Sequence, residues 1–382
     1  MSAIEYRRAV QSDYAKCVDF ANLVFSAAYR PHDFKALSPK VYADPARFVS
    51  APHYLAVEPD DSVRGMVGVL PNTLKVGRAT LKTGFIGTVS VHPYARGEGH
   101  MKKLMSMALQ DMRADGTDLV ILSGQRQRYE YFGFTQGGMQ RLWRVSQTNL
   151  RHVLGNDPGP NLVLEPATPF TSPDIMARCA ALNDSRTISA ARSGEDFLAI
   201  AQTRQSTLQL ITLDGAFAGY LICVDHTIHE IQLTCWELLP WVLRLAMRQM
   251  NLTSVELVSG ECETELNQQL SRIAERCSLT HYDMIQILNF PKVLQALLEL
   301  KAAHEPLADG ICSLIIGDKP LTIQIKNGVL YLANNATPDA THLTETQAQT
   351  LFLNPLGQLL TGCRLPLGWA PLPLYMSAAD SF

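Results

Sequence analysis

Residues 89–102, VSVHPYARGEGHMK, form the stretch that decides the fold of this chain. A β-branched run ends at His92-Pro93, and a short turn containing Gly97 and Gly99 follows it. Apolar residues then recur at helical spacing, at Met101, Leu104, Met105, Ala108, Leu109 and Met112. This order predicts a strand, a glycine-containing turn and an amphipathic helix.

The turn has the chemistry of an anion site. The first N–H groups of a helix have no intrahelical partner and carry partial positive charge, so they suit an anion such as a pyrophosphate. Gly97 and Gly99 allow the backbone to come close to that anion, and Arg96 adds a cationic donor. A glycine pair after a strand is a weak signal by itself, and a plain strand-to-helix turn remains the alternative.

Strand and helix patterns alternate on both sides of this turn. Before it we expect an extended segment at residues 5–10, a helix after Ser12-Asp13, hairpins at residues 54–70 and 72–81, and a strand at residues 83–91. After the helix, residues 118–122 form a short apolar strand. Strands, a helix and a further strand in this order predict an α/β or α+β domain over residues 1–150, and we expect the α+β class for the chain.

Two breaks divide the rest of the chain. Residues 154–160 are rich in Pro and Gly, and residues 289–291 read Asn-Phe-Pro. Between them, strands at residues 208–233, a helix and a strand at residues 254–258 repeat the end of the first domain without its glycine turn. Beyond them, a helix and three short strands are expected. The predicted domains are therefore residues 1–150, 151–290 and 291–382.

Composition limits the classes of partner. The chain has 382 residues, of which 47% are hydrophobic and 18% charged, and its net charge is -3. This near-neutral balance disfavours nucleic acid or a membrane as the main partner. The N-terminal residues lack the apolar run of a signal peptide, and the eight cysteines are scattered. We therefore expect a cytoplasmic protein, and we expect neither a structural zinc site nor a disulfide scaffold.

A second motif narrows the prediction. Residues 123–134, SGQRQRYEYFGF, follow the next strand. An Arg-x-x-Gly turn that opens a helix, then a strand, then Tyr-x-x-x-Gly-Phe resembles the GNAT family of acyl-CoA N-acyltransferases over residues 4–145. The resemblance implies acetyl-CoA as co-substrate. It assigns cofactor binding to Val89, Ser90, Val91, Arg96, Gly97, Glu98, Gly99, His100, Met101, Lys102, Gly124 and Gln125. Met101 departs from the family pattern, which usually has Gly or Ala there.

The order of the three predicted domains resembles the Eis-type acetyltransferases (enhanced intracellular survival proteins). That resemblance implies an N-terminal GNAT domain, a degenerate GNAT-like middle domain and a C-terminal domain like sterol carrier protein 2. It also implies two catalytic groups: Tyr129 as the acid that protonates the departing thiolate, and the terminal carboxylate of Phe382 as the base.

The ordinary acidities of these groups fit the roles. A primary amine has a pKa of about 10 and must lose a proton before it attacks a thioester. A terminal carboxylate, with a pKa of about 3.5, is ionised near neutral pH and can anchor a cationic amine. Tyrosine, with a pKa of about 10, is protonated and can donate a proton to sulfur.

Other residues are weaker candidates. Tyr131 is the nearest rival of Tyr129, and Tyr129 could also be a packing residue. His53 and His92 are more often structural than catalytic when no partner is evident. Arg126 and Arg128 could contact the 3′-phosphate of CoA or lie on a solvated face. Asp33 and Asp380 are candidates for holding a cationic acceptor.

We thus expect an acetyl-CoA-dependent N-acetyltransferase whose acceptor is an aminoglycoside-like polyamine or a lysine-type amine. A lipid carrier built on the C-terminal domain, or an acetyl-CoA sensor with a vestigial site, are the alternatives. The resemblance further implies a homo-oligomer, with a hexamer as the expected form.

Overall fold

The computed structural model describes residues 4–382, so residues 1–3 of the stretch examined for a signal peptide lie outside the described residues. The chain divides into two compact units. The first contains residues up to Gly138, Asp283–Pro373 and Ser381–Phe382, and the second contains Met139–Tyr282 and Leu374–Asp380. Helices and strands alternate along the chain, which agrees with the predicted mixture of α and β structure.

Strands and helices are numbered in chain order. The strands are β1 Glu5–Arg8, β2 His53–Val57, β3 Val63–Val76, β4 Ala79–Val91, β5 Leu119–Leu122, β6 Thr135–Ser146, β7 Leu162–Pro166, β8 Ile188–Ala190, β9 Thr207–Leu213, β10 Ala216–Val224, β11 Thr227–Leu233, β12 Ser254–Gly260, β13 Arg276–Ile287, β14 Gly310–Ile316, β15 Lys319–Lys326, β16 Val329–Ala333 and β17 Thr341–Leu343. The helices are α1 Tyr14–Ala28, α2 Phe34–Leu37, α3 Pro39–Tyr42, α4 Pro45–Ser50, α5 His100–Ala114, α6 Arg126–Tyr129, α7 Gln147–Leu154, α8 Pro173–Ser185, α9 Gly194–Ala201, α10 Leu239–Gln249, α11 Thr264–Ile273, α12 Phe290–His304, α13 Glu345–Leu353 and α14 Gly357–Thr361.

In the first unit the main sheet has the strand order β1-β2-β3-β4-β5-β13. β4 and β5 are parallel, as expected of strands joined by the crossover helix α5, and the other neighbours are antiparallel. The apolar stripe of α5 packs into a core that includes Leu104, Ala108 and Phe134. A second core, built on α1, contains Cys17, Phe20 and Tyr42. These two cores fix β4 and its following turn between α1 and α5.

One difference from the expected strands concerns residues 63–91. The sequence suggested three separate segments, but the structure has two long strands, β3 and β4, joined at Gly77. Pro71 lies inside β3, where a strand break would be expected. The pairing of β3 with β2 stops at Gly68, so Pro71 pairs with Gly84 of β4 on one side of the strand. Its missing N–H therefore removes no bond to β2.

Residues 290–373 of the first unit add a helix and a small sheet. α12 is followed by the four-stranded sheet β16-β15-β14-β17, and then by α13, which Thr344 caps. The helix and strands expected in this region lie where they were predicted. The predicted boundary of a separate third domain at residue 291 stays a prediction.

The strands of the second unit follow the order β6-β12-β11-β10-β9-β7. β11 and β12 are parallel and are connected through α10, whereas β9, β10 and β11 form an antiparallel meander. Leu239, Val242, Leu243 and Ala246 of α10 lie in its core. Within residues 4–382, no helix is long and apolar enough to cross a membrane.

Residues near the C-terminus are packed. Trp369 and Leu372 of the first unit are fully buried, as is Leu374 of the second. The expectation that this Pro-rich segment packs against the body of the protein is confirmed.

Candidate active site

The turn after β4 has the geometry expected of an anion site. Gly97 and Gly99 have φ angles of 87° and 85°, a left-handed conformation that favours glycine. No atom lies within 4 Å of where a Cβ would stand on either residue, so the turn faces open space. Gly99 is the N-cap of α5 and has no side chain to bond the first turn. The N–H groups of residues 100–102 are therefore left for a ligand.

The last residues of β4 have a free edge. The parallel pairing with β5 stops where Ile86 faces Leu122, although β4 continues to Val91. On its other side β4 pairs with β3, and the register shifts between Met66 and Gly68. Residues 87–91 can therefore offer main-chain groups to an extended ligand on the side facing away from β3.

The register shift is a β-bulge centred on Thr88. Two residues, Thr88 and Val89, oppose the single residue Val67. Thr88 has a φ of 47°, which is strained for a β-branched side chain. Bulges of this kind re-aim neighbouring residues and are frequent beside active sites.

A cavity of about 610 Å³ lies at this turn, within the first unit. Nine of the fourteen predicted site residues line it, namely Val89, Val91, Arg96, Gly97, Gly99, His100, Met101, Lys102 and Tyr129. Its charged lining residues are Arg96, Lys102 and Arg128, all basic. The donors and charges of the wall therefore suit a ligand that carries phosphate groups.

Five predicted residues lie elsewhere. Ser90 is buried and donates a hydrogen bond to the Thr88 carbonyl oxygen, 2.7 Å away. Glu98 is largely exposed and lies 3.1 Å from His100. Gln125 is the residue before α6, and Gly124 packs against the Tyr129 ring. The fifth, Phe382, lies beside the cavity wall and is described below.

His100 is held by its neighbours. Its Nδ1 lies 2.8 Å from the Tyr6 hydroxyl and its Nε2 lies 3.1 Å from Glu98. Both ring nitrogens are thus engaged, and the ring itself is buried. This arrangement supports a role in fixing the start of α5.

Tyr129 lies in the wall of the cavity with 8% of its surface exposed. Burial raises the pKa of Tyr129, although nearby Arg128 lowers it. The phenol is therefore protonated at neutral pH. A Cβ on Gly124 would lie 2.2 Å from the Tyr129 ring, so glycine is required there for this ring position. Tyr131, the rival candidate, is 64% exposed and lies under the Lys102 ammonium group.

Phe382 lies against β3 and β4 in the first unit. A Cβ on Gly87 would be 2.6 Å from Cγ of the Phe382 ring and 3.0 Å from its carboxyl carbon. A Cβ on Gly68 would be 2.5 Å from the same ring. The two glycines thus form a slot for the last residue, and Gly87 is two residues before Val89 of the cavity wall.

Aromatic side chains complete this slot. The rings of Tyr42 and His53 each have their centroids 5.9 Å from that of Phe382. The Tyr42 hydroxyl lies 2.7 Å from His53 Nε2 and 3.0 Å from Thr88 Oγ1. Burial lowers the pKa of His53 to about 4, so its ring is neutral at pH 7. His53 is therefore a structural histidine and not an obvious base.

The remaining candidates have other partners. Arg126 forms an ion pair with Glu130, whereas Arg128 lines the cavity. Asp33 accepts a hydrogen bond from the Lys35 N–H and caps α2. In the second unit, Asp380 is buried and forms an ion pair with Arg192.

The sequence patterns did not predict the slot for Phe382 or the face of α1 that lines the cavity. Gly84 and Gly87 stand in an otherwise β-branched run, which is a signal of close approach or of a bulge. Val24, Phe25, Ala28 and Tyr29 also line the cavity. Their spacing in α1 had no feature that distinguished them from core residues.

Residues 5–137 match the family model of the acetyltransferase (GNAT) domain. A comparison with curated proteins gives no significant match. Among solved structures, the fold resembles a GCN5-related N-acetyltransferase from Anabaena variabilis, with 16% identity, a TM-score of 0.67 and 100% of both chains covered. One from Kribbella flavida has 14% identity and a TM-score of 0.66, with 99% of each chain covered.

Eis1 from Mycobacterium abscessus has the same overall fold, with 11% identity and a TM-score of 0.62. The match covers 99% of this chain and 100% of Eis1. At such identities the likeness concerns the fold. The predicted enzyme class is confirmed by the family match: residues 5–137 form an acetyltransferase domain of the GNAT type.

Proposed function

We propose that this protein is an acetyl-CoA-dependent N-acetyltransferase of the Eis type. The observation that carries the proposal is the basic cavity that joins the free edge of residues 87–91 to the open first turn of α5. A ligand with an extended amide arm and a pyrophosphate matches both parts. Acetyl-CoA has these parts, and when bound it supplies a thioester whose acetyl carbon can accept an amine.

Each end of the cavity has a separate role in binding. Val89 and Val91 pair with the amide arm through their main-chain groups, as a further strand would. The N–H groups of residues 100–102 and the side chains of Arg96 and Lys102 hold the pyrophosphate. Arg128, on the same wall, is placed to contact another phosphate.

The chemistry requires two protons to leave a cationic amine and one proton to reach sulfur. The Phe382 carboxylate attracts the ammonium group, which loses one proton to water before it can attack. The amine nitrogen then bonds to the acetyl carbon as the carbon–sulfur bond breaks, and the Phe382 carboxylate receives the second nitrogen proton, directly or through water. Tyr129, kept protonated by burial, donates a proton to the departing thiolate.

The Eis-type assignment includes three further features. The second unit repeats the order of antiparallel strands, helix and parallel strand that surrounds the cofactor turn, which supports a degenerate GNAT-like domain. The helix and four-stranded sheet at residues 290–343 support a domain like sterol carrier protein 2. The third feature, a homo-oligomer, is tested by light scattering of the purified protein.

The proposal is tested by following free thiol with acetyl-CoA and a panel of amines. Tyr129→Phe should lower kcat by about 100-fold, the usual contribution of a positioned acid, and leave acetyl-CoA affinity unchanged. Deletion of Phe382 should also lower kcat. Tyr131→Phe is the matched control and should retain wild-type activity.

Two outcomes would contradict the proposal at different levels. If the protein neither binds acetyl-CoA nor releases thiol with any amine, the enzymatic function is wrong. If it turns over but Tyr129→Phe and the Phe382 deletion both keep the full rate, the assigned catalytic groups are wrong.

A further inference from the structure

One face of α1 forms the wall of the cavity opposite the cofactor turn. Val24 and Ala28 stand one turn apart on this helix, Phe25 lies next to Val24, and Tyr29 is the residue that ends the helix; all four line the cavity. Tyr29 is 72% exposed, although it is a large aromatic residue. Exposed aromatic groups beside a cavity are typical of binding surfaces and not of packing.

Phe25 is connected to Phe382 through buried aromatic rings. The ring of Tyr42 lies 5.9 Å from that of Phe382, and the ring of Phe34 lies 5.8 Å from that of Tyr42. Phe25 follows, 5.0 Å from Phe34. Because Tyr42 and Phe34 belong to the core of the first unit, their packing fixes the position of Phe25 in the cavity lining.

The charged residues that line the cavity are all basic. No Asp or Glu occurs among its lining residues within the described part of the chain, and Arg96, Lys102 and Arg128 are basic. Asp33 caps α2, and Asp380 is engaged by Arg192 within the second unit. The terminal carboxylate of Phe382 is the anion that the proposed function assigns to one ammonium group. A polycation would find no Asp or Glu among the described lining residues to pair with its further charges.

We propose that the acceptor is an arylalkylamine, a primary amine with one positive charge and an aromatic body. This rests on the proposed acetyltransferase function and names its substrate class. Phe25 and Tyr29 stack on the aromatic body, and the Phe382 carboxylate takes the ammonium group. Phe25 and Tyr29 are thus specificity-determining residues.

The experiment compares kcat/KM for 2-phenylethylamine, spermidine and an aminoglycoside in the protein of residues 1–382. 2-Phenylethylamine should exceed both polyamines by at least tenfold. Tyr29→Ser and Phe25→Ala should each lower its kcat/KM by about tenfold, mainly through KM, because an apolar contact in a pocket contributes about this much. Acetyl-CoA affinity should fall much less than kcat/KM in both variants, because the proposed phosphate contacts at residues 96–102 remain.

Two further variants sharpen the result. Phe170→Ala removes an aromatic ring that is 96% exposed in the second unit, and it should have no effect. Ala28→Asp places a carboxylate in the cavity wall at an exposed helical position, and it should shift the preference towards spermidine. Because Tyr29 and Ala28 are exposed, these two substitutions do not disturb the core.

The proposal is overturned if the polyamines are the better substrates, or if Tyr29→Ser and Phe25→Ala both leave kcat/KM for 2-phenylethylamine unchanged. Either result leaves the acetyltransferase function intact, because acetyl-CoA is still bound and thiol is still released. Failure of acetyl-CoA to bind at all would instead reject the underlying function together with its acceptor.

Discussion

The two units contain the same strand–helix–strand arrangement, but the residues at the turn before the helix differ in charge and backbone. In the first unit the end of β4 and the start of α5 line a cavity of about 610 Å³, and in the second the end of β11 and the turn before α10 line one of about 640 Å³. In both units the two strands are parallel and the helix follows a short 3-10 turn. Cavity size and this arrangement therefore do not distinguish them.

The turns differ in their backbone and charge. The first has glycines at 97 and 99 and basic lining residues, whereas the second has Pro240 in the first turn of α10 and three glutamates, Glu237, Glu263 and Glu265, in its lining. Proline lacks the N–H that an anion would need, and carboxylates repel phosphate. The arrangement thus supplies the position, and the residues of the turn decide whether it can hold a polyphosphate.

The largest expected difference between the units concerns buried ion pairs, which stabilise the second unit. Arg192 is fully buried in the second unit and forms ion pairs with Glu230 and Asp380, each at 2.8 Å. Arg192→Met should lower the free energy of unfolding of this unit by about 3–5 kcal/mol, because buried Asp380 loses its ion-pair partner and buried Glu230 is left with Arg186. Urea titration followed by tryptophan fluorescence measures this, since Trp143, Trp236 and Trp241 belong to the second unit.

Arg144→Met is the matched control for that substitution. Arg144 pairs with Glu275 in the same unit, but both side chains are about 40% exposed. Its loss should cost less than about 1 kcal/mol. Equal effects of the two substitutions would contradict a structural role for the buried network.

The pH dependence of stability should also differ between the units. The folded pKa of His53, in the first unit, is about 4, below the ordinary 6.5, because the ring is buried. Between pH 6.5 and 4 the unfolded chain takes up a proton that the folded chain does not. The first unit should therefore lose about 3 kcal/mol of stability as the pH falls through this range.

In the second unit the corresponding loss, from Glu230, comes mainly as the pH falls below the ordinary glutamate pKa of 4.5, at lower pH than the loss from His53. Burial raises the pKa of Glu230, but Arg192 and Arg186 more than offset this and hold it well below its ordinary value. Urea titrations at several pH values, read from Trp369 in the first unit, measure the His53 effect. It should disappear in His53→Gln, and an unchanged pH dependence in that variant would contradict the assignment.

Exchanging the charge of the turns tests the comparison itself. The double substitution Arg96→Glu and Lys102→Glu adds negative charge to the lining of the first cavity, as in the second cavity. Acetyl-CoA affinity should fall by about 100-fold, or about 2.7 kcal/mol, as measured by isothermal titration calorimetry. Glu237→Lys with Glu265→Lys in the second unit should leave the affinity unchanged. A loss of acetyl-CoA affinity in the double variant of the second unit, without a loss in the double variant of the first unit, would contradict the comparison.

The smallest expected effect concerns the slot for Phe382. Gly87→Ala would place a methyl group in contact with the Phe382 ring and carboxyl carbon, and should lower kcat/KM by about tenfold. Gly84→Ala is the control on the same strand, where the new methyl group meets the flexible end of Met112. Thiol release should be near normal in Gly84→Ala. Equal rates in both variants would show that Phe382 need not occupy this slot.

The sequence predicted the parts of the site whose signals are local. The turn at residues 96–102 and the start of α5 follow from glycine, charge and helical spacing within about ten residues. Thr88 at a φ of 47° had no local signal, because threonine does not favour that conformation and adopts it only where tertiary contacts require it. The contact of Phe382 with Gly68 and Gly87 joins residues about 300 positions apart, so it could be suggested only by family resemblance.

Hydrogen–deuterium exchange with and without acetyl-CoA tests the central claim most directly, because it observes both turns in one experiment. The account predicts slower exchange in peptides that cover residues 89–102 and unchanged exchange in peptides that cover residues 233–240. Protection at residues 233–240, or an absence of protection at residues 89–102 under saturating acetyl-CoA, would contradict it.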